Sequence, residues 1–175
     1  MVYFGSANGT LYALDAATGS ELWTFRVSLV TSGPAVADGV VYVGSVDGTV
    51  YAIDAATGIK RWSFLTQGEV QSSPAVAKGV VYASSTDGDV YALDAATGTK
   101  LWSHPFNSGY PSSPVVANGV VFINSPSGNS AALDAATGSR LWSFLAGGAV
   151  YSSPAVSDGR VYIASQKGSV FAFGL

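Results

Sequence analysis

The sequence contains no cysteine and only one histidine. The missing cysteines exclude disulfide bonds, thiolate nucleophiles and sulfur-ligated metal sites, but they do not identify a cellular compartment. Charged side chains make up 11% of the 175 residues, whereas apolar side chains make up 48%. Because so few charges cannot coat many solvent-facing elements, we expect most elements to be covered on both faces.

Basic patches and long apolar runs are also missing. The lysines and arginines are scattered along the chain and the net charge is −3, so nothing concentrates positive charge against phosphates and we expect no nucleic-acid partner. No apolar stretch approaches the ~20 residues of a membrane-spanning helix. The N-terminal residues MVYFGSANG have neither the basic region nor the apolar run of a signal peptide. We therefore expect a soluble chain without membrane insertion.

An eleven-residue motif recurs four times, and each copy ends in tryptophan. The copies are ALDAATGSELW (13–23), AIDAATGIKRW (52–62), ALDAATGTKLW (92–102) and ALDAATGSRLW (132–142). Successive tryptophans, Trp23, Trp62, Trp102 and Trp142, are 39, 40 and 40 residues apart. A period near 40 is typical of a propeller blade or of a helical HEAT-type pair.

The local pattern within one repeat favours the blade. Residues 32–65 contain four short apolar runs, PAVA, VVYVGS, TVYAID and KRWSFL, bounded by Asp-Gly or Thr-Gly turns. Such runs indicate strands joined by hairpins, and no window has the spacing of an amphipathic helix. The sequence predicts an all-β protein, a β-propeller of ~40-residue, four-stranded antiparallel blades. One domain, 1–175, would hold a partial blade (1–27), three complete blades (31–66, 71–106 and 111–146) and a second partial blade (151–175).

The pattern A-x-D-x-x-T-G-x-x-x-W resembles the tryptophan-docking motif of the pyrroloquinoline-quinone (PQQ) repeat propellers. That group includes quinoprotein alcohol dehydrogenases, an outer-membrane assembly lipoprotein and sensor regions of some bacterial kinases. In the family, the tryptophan of one blade stacks on an alanine and a glycine of the next. The resemblance implies that Trp23 docks on Ala52 and Gly58, Trp62 on Ala92 and Gly98, and Trp102 on Ala132 and Gly138. For Trp142 the resemblance implies a contact with Ala172, and the sequence has no glycine at the second position. The resemblance also suggests a bacterial parent protein of the envelope or another extracytoplasmic site.

Catalytic and metal-binding constellations are scarce. His104 lies in WSHPF at a position where the other three repeats have phenylalanine, which suits a substituted aromatic at a strand end better than a base or a metal ligand. Nearly all aspartates fall in the docking motif or directly before a turn glycine, where Asp-Gly is ordinary hairpin chemistry. The quinoprotein dehydrogenases add a vicinal cysteine pair, a calcium site and a catalytic aspartate, none of which can be located here. We expect no enzyme activity, cofactor or metal.

The connection between the fourth strand of one blade and the first strand of the next varies most. Its versions are VSLVTSGP, TQGEVQSSP, NSGYPSSP and GGAVYSSP. These loops share one propeller face near the channel mouth, a common place for ligands. The side chains best able to contact a protein or small ligand there are Glu69, Gln71, Tyr110 and Tyr151. Ordinary solvated or blade-packing loop residues remain the simpler interpretation of the same side chains.

Three functions fit this sequence. The leading hypothesis is a non-enzymatic binding or scaffold module; the alternatives are a fragment of a quinoprotein oxidoreductase and an amplified or engineered repeat protein without a selected ligand. The partial blades leave two sheet faces to cover. Residues 2–27 could pack on residues 152–173 in a small ring, or two copies could join head to tail in a ring of eight to ten blades. We expect the homodimer, because docking geometry suits rings of seven or eight blades.

Overall fold

The computed structural model describes residues 1–106, 109 and 111–175. This part of the chain forms 18 β-strands and no helix, and so it contains no helix that could cross a membrane. The strands form five antiparallel sheets of three, four, four, four and three strands. Every sheet is built from strands that are consecutive in the sequence. The predicted all-β propeller with three complete and two three-stranded blades is confirmed.

The strand bounds follow the repeat. The first sheet contains β1 (Val2–Ser6), β2 (Thr10–Leu14) and β3 (Glu21–Arg26). The second contains β4 (Ala35–Ala37), β5 (Val40–Gly44), β6 (Thr49–Asp54) and β7 (Lys60–Leu65). The third contains β8 (Ala75–Ala77), β9 (Val80–Ser84), β10 (Asp89–Asp94) and β11 (Lys100–Pro105). The fourth contains β12 (Val115–Ala117), β13 (Val120–Asn124), β14 (Asn129–Asp134) and β15 (Arg140–Leu145). The fifth contains β16 (Ala155–Ser157), β17 (Arg160–Ala164) and β18 (Val170–Gly174).

Two-residue hairpins join the first two strands of a four-stranded blade. Ala37 pairs with Val40, and the intervening Asp38 and Gly39 have φ of 49° and 73°. Positive φ at both central positions defines a type I′ turn, whose twist matches that of the flanking strands. Aspartate, asparagine and glycine tolerate this conformation best. Lysine occupies the same position in the third sheet, where Lys78 has φ 49°.

The apolar core lies between successive sheets. Val41 and Ile53 of the second sheet cluster with Leu11 and Val30 on the side of the first sheet. Residues of opposite parity on the same two strands cluster with the third sheet, as Tyr42 does with Val81. Side chains of alternating strand residues point to opposite faces, so an internal sheet is covered on both faces. Among the described residues, no apolar cluster joins the first sheet to the last.

Candidate functional site

In each of the first four sheets, the turn before the last strand is closed by its aspartate. We call these turns, residues 15–19, 54–58, 94–98 and 134–138, the docking turns. In the second sheet Asp54 Oδ1 accepts hydrogen bonds from Ala56 N (3.1 Å), Thr57 N (2.9 Å) and Thr57 Oγ1 (2.9 Å). Arg61 Nη2 lies 2.7 Å from Asp54 Oδ2. The Arg61 bond, followed by the two Thr57 bonds, lowers the pKa of Asp54 from 3.8 to about 2. The carboxylate is therefore a structural part of the turn.

The docking turn supports the tryptophan of the preceding sheet. A methyl group added at Gly58 would lie 2.8 Å from Cδ2 of Trp23, and one at Gly98 would lie 2.7 Å from Cδ2 of Trp62. The same distance for Gly138 and Trp102 is 2.7 Å. Such distances are below any ordinary carbon–carbon contact, so only glycine lets the indole lie flat on the turn. The structure brings together all three predicted tryptophan–glycine pairs.

A backbone carbonyl completes each docking contact. Trp62 Nε1 donates to Ala95 O at 2.9 Å, and Tyr42 Oη donates to the same oxygen at 3.1 Å. The arrangement repeats with Trp23 and Tyr3 on Ala55 O, and with Trp102 and Tyr82 on Ala135 O. One carbonyl oxygen has two lone pairs and can accept both bonds. Sequence reasoning missed these tyrosines, although Tyr3, Tyr42 and Tyr82 recur in step with the tryptophans.

The alanines predicted for the docking contact lie elsewhere, and this is a correction. Ala52 is the direct cross-strand partner of Trp62 in its own sheet, and both belong to the cluster that faces the third sheet. Trp23 packs instead against the cluster that contains Ala55. Directly paired residues of an antiparallel sheet share a face, so Ala52 cannot also face Trp23. Ala92 and Ala132 pair in the same way with Trp102 and Trp142.

The first and last sheets carry incomplete versions of this contact. A methyl group added at Gly19, in the first docking turn, would have no described atom within 4 Å. Trp142 packs against Phe173 of the last sheet, with ring centroids 5.2 Å apart. The predicted contact of Trp142 with Ala172 is corrected in the same way, because Phe173 faces Trp142 and the adjacent Ala172, paired with Tyr162, points to the opposite face. Phe122 replaces the tyrosine that elsewhere shares the carbonyl.

A second, polar site lies where the variable loops converge; we call it the serine-rich pocket. It has a volume of about 230 Å³ and is formed by the loop before β8, the turn after β9, the segment before β12 and the loop before β16. Its lining residues are Glu69, Gln71, Ser72, Ser84, Ser85, Thr86, Pro111, Ser112, Ser113, Tyr151 and Ser153. Residues that are up to 84 positions apart thus share one cavity.

Hydrogen bonds within and between blades hold the walls of the serine-rich pocket. Ser72 Oγ donates to Ser84 O at 2.9 Å, and Ser84 Oγ donates to Ser112 O at 2.8 Å. Ser73 N donates to Ser113 Oγ at 2.9 Å. Glu69 N donates to Thr86 Oγ1 at 2.8 Å. The Ser84–Ser112 and Ser73–Ser113 bonds cross from the third sheet's blade to the fourth sheet's blade, whereas the Ser72–Ser84 bond lies within one blade. The pocket is therefore partly held by inter-blade bonds.

The structure brings together three of the four residues predicted to contact a ligand. Glu69, Gln71 and Tyr151 line the serine-rich pocket, whereas Tyr110 lies outside the described residues. Gln71 Nε2 donates to Glu69 Oε2. The Tyr151 side chain is 64% exposed, which leaves its ring available at the pocket. Sequence reasoning missed the serines, although the Ser-Ser-Pro triplets at 72–74, 112–114 and 152–154 mark them.

PQQ does not fit the residues of this pocket. The cofactor is a polycarboxylate, and anions are bound in proteins by arginine, lysine, metal ions or clustered backbone amides. Glu69 is the one charged side chain among the described residues that line the pocket, and it is an anion. The described residues also contain no group of three or more histidine, cysteine, aspartate or glutamate side chains that could hold a metal ion.

Comparisons with solved structures support the propeller fold. BamB from Moraxella catarrhalis matches with a TM-score of 0.86 and 24% identity over 98% of this chain and 54% of that chain. The computationally designed Ika8 protein matches with a TM-score of 0.86 and 22% identity over 99% and 55%. The quinohemoprotein alcohol dehydrogenase ADHIIG from Pseudomonas putida HK5 matches with 0.71 and 20% over 99% and 40%. This chain therefore spans about half the length of the first two.

Sequence comparisons identify the family. No curated protein sequence matches the chain. The family model for outer membrane protein assembly factor BamB matches residues 7–110 and 86–174. These ranges include all four docking motifs and both loops of the serine-rich pocket that carry Glu69 and Tyr151. The chain therefore belongs to the BamB family of PQQ-repeat β-propellers.

Proposed function

We propose that this chain is a non-enzymatic binding or scaffold module that takes a protein or small ligand at the serine-rich pocket. The observation that carries the proposal is the convergence of Glu69, Gln71 and Tyr151, from two variable loops, in one cavity of about 230 Å³. The docking contacts keep nearly the same residues in every repeat, whereas these loop residues differ between repeats. Variation on a rigid scaffold is typical of binding loops.

The family supports the same proposal. The matched family model describes an assembly factor, which agrees with a binding or scaffold role. Because a shared fold alone does not transfer a function, the pocket still carries the proposal. The clusters that join neighbouring sheets support treating residues 1–175 as one domain. The quinohemoprotein dehydrogenase match keeps an oxidoreductase fragment as the second candidate.

An amide-resolved NMR screen tests the binding function. Peptides and small polar molecules are added to the labelled chain, and resonances of the loops at 69–72 and 149–153 are followed. We expect at least one compound to shift these resonances and to lose its effect in both Gln71→Ala and Tyr151→Ala. Ser20→Ala, at an exposed residue directly after the first docking turn, is the control that should leave binding unchanged. Shifts that persist in both loop variants would contradict a site at the pocket.

A dye-linked dehydrogenase assay with added PQQ and calcium separates the two candidate functions. We expect no turnover above the rate without protein. Turnover that requires both additions would replace the binding module with the quinoprotein alternative.

We also propose that two copies of this chain associate head to tail. The outward face of the first sheet exposes Phe4 at 41%, with its ring stacked on Tyr12 at 5.1 Å. On the last sheet Val170 is 70% exposed. Within one copy, no apolar cluster of described residues joins these two faces. A second copy can cover both faces at once through a two-fold axis.

Light scattering at micromolar concentration tests the association. We expect a mass of twice 17.8 kDa for the 175-residue chain. In Phe4→Glu we expect the mass of a single chain. Leu65→Glu is the matched control, because Leu65 is also exposed but lies on the outermost strand β7 of an internal sheet. A mass near 17.8 kDa that persists on concentration would refute the dimer.

A further inference from the structure

The serine-rich pocket has an electrostatic bias toward cations. Among its described lining residues, Glu69 supplies the one formal charge. A second carboxylate lies close behind the wall, because Asp87 Oδ2 accepts a hydrogen bond from Gln67 N at 2.9 Å and Asp87 adjoins Thr86. A partly enclosed cavity lined by a carboxylate, with a second one nearby, concentrates counter-ions of positive charge. The pocket therefore disfavours phosphate and carboxylate ligands relative to cations.

The hydroxyls of the walls supply acceptors for such a cation. The Ser72 hydroxyl donates its proton to the backbone carbonyl of Ser84, and the Ser84 hydroxyl donates to that of Ser112. Ser112 Oγ donates to Ser113 O at 3.3 Å. A hydroxyl that donates its proton still has an acceptor lone pair. The Thr86 and Ser113 hydroxyls accept bonds from Glu69 N and Ser73 N, and no hydrogen bond among the described residues uses their protons. The walls therefore offer both acceptors and donors, and the charge of Glu69 is what favours a cation.

Glu69 and Tyr151 add a specific cation site to these walls. The Glu69 carboxylate has about four lone-pair positions, of which the Gln71 amide occupies one. The exposed Tyr151 ring presents a π face that attracts ammonium groups. A primary ammonium has three donors and the positive charge that the Glu69 carboxylate and the Tyr151 ring attract, whereas a neutral polyol carries no charge. Ammonium thus satisfies this set of groups better than a neutral polyol does.

We infer that the serine-rich pocket binds a primary ammonium group, held by the Glu69 carboxylate, the Tyr151 ring and the serine hydroxyls; this inference rests on the proposed binding function. The ammonium can belong to a lysine side chain of an extended peptide or to a free alkylamine. The cavity of about 230 Å³ has room for such a group with its apolar stem. Pro111 supplies an apolar wall for the stem.

Amide-resolved NMR titration with matched probes tests the inference. The probes are Nα-acetyl-lysine methylamide, its Nε-acetylated form of similar shape without charge, pentylamine and glucose. We expect the lysine probe to shift the resonances of residues 69–72 and 86, and the Nε-acetylated form to leave them unchanged. If the lysine probe binds and pentylamine does not, the site is assigned to peptides. If both bind, the site is assigned to ammonium groups in general.

Two substitutions and one control identify the residues. Glu69→Gln keeps the shape and should weaken the lysine probe at least about tenfold, the effect of losing a hydrogen bond to a charged group. Tyr151→Ala should weaken it about three- to fivefold. Glu21→Gln removes the same charge on the exposed strand β3 and should leave the affinity unchanged. Added salt should weaken the probe in the unsubstituted chain.

The remaining outcomes separate this inference from the proposed function. Equal weakening by Glu69→Gln and Glu21→Gln would overturn the inference, because binding would then follow net charge alone. Shifts produced by glucose and lost in Tyr151→Ala, without shifts from the lysine probe, would overturn it and leave a binding function at the same pocket. Failure of both amines to shift residues 69–72 would overturn it as well, and the wider ligand screen then decides the binding function independently.

Discussion

Removal of the stacking between Trp62 and Gly98 should cost a large part of the stability of the chain. Trp62 is only 9% exposed, and a tryptophan buries roughly 200 Å² of mostly apolar surface. At about 25 cal/mol per Å², this burial contributes about 4–5 kcal/mol. Loss of the hydrogen bond to Ala95 O, at 2.9 Å, adds about 1 kcal/mol. Partial relaxation reduces the sum, so we expect Trp62→Ala to destabilise by about 3–5 kcal/mol.

The glycine side of the contact permits a controlled version of this experiment. Gly98→Ala places a methyl group 2.7 Å from Trp62 Cδ2 at φ 74°, so it adds steric overlap to backbone strain. Gly19→Ala occupies the same turn position at φ 71° with no described atom within 4 Å, so it reports the strain alone. We expect Gly98→Ala to cost about 1–3 kcal/mol more than Gly19→Ala.

Urea unfolding followed by tryptophan fluorescence and far-UV circular dichroism measures all of these variants. In the Trp62→Ala background, the additional cost of Gly98→Ala should fall to that of Gly19→Ala, because no indole remains to meet the methyl group. Equal costs of Gly98→Ala and Gly19→Ala in the unsubstituted background would refute the stacking. A sub-kilocalorie loss in Trp62→Ala would refute the burial calculation.

Three further predictions concern other parts of the repeat. Ser130→Val should stabilise the chain by about 1 kcal/mol in urea melts, because the buried Ser130 Oγ has no hydrogen-bond partner among the described residues and valine stands at the equivalent Val90; a loss of stability would show that the hydroxyl is satisfied. Stability should hold above about pH 4 and fall as the pH drops through 2, because the pKa of Asp54 is lowered from 3.8 to about 2 and the folded chain binds fewer protons than the unfolded one; thermal melts should show a weaker dependence in Asp54→Asn, and an unchanged one would contradict the assignment. Lys78→Asn should stabilise by ~0.5–1 kcal/mol, because asparagine tolerates φ 49° better than lysine; the reverse change, Asn118→Lys, should destabilise by a similar amount.

Short-range features of the sequence determined the architecture of this protein. The forty-residue period, the Asp-Gly and Thr-Gly turns and the alternation of apolar residues are all encoded within a few neighbouring positions. Hairpins form between adjacent segments, and each signal concerns a local turn or strand. This is why the strands and the antiparallel sheets could be predicted without coordinates, whereas the three tryptophan–glycine pairs were implied by the resemblance to the PQQ-repeat propellers.

Only the tertiary structure decided which groups complete the docking contact. Ala52 is close to the motif in sequence, but its pairing with Trp62 turns it toward the third sheet. A register shift follows directly, between Ala52 and Ile53, and Ala55 beyond it presents its carbonyl to Trp23 and Tyr3. A bulge changes which residues share a face, and the motif by itself does not show where one lies.

The serine-rich pocket also depended on tertiary structure. The sequence placed Glu69, Gln71 and Tyr151 in variable loops, but it also fitted the interpretation that they are ordinary solvated or packing residues. Their meeting requires the curvature of successive blades, since Tyr151 lies 80 residues beyond Gln71. That curvature is the sum of the rotations that each docking contact imposes on the next sheet. A property summed over several interfaces is not contained in any single repeat, and so the fold alone brought these side chains to one cavity.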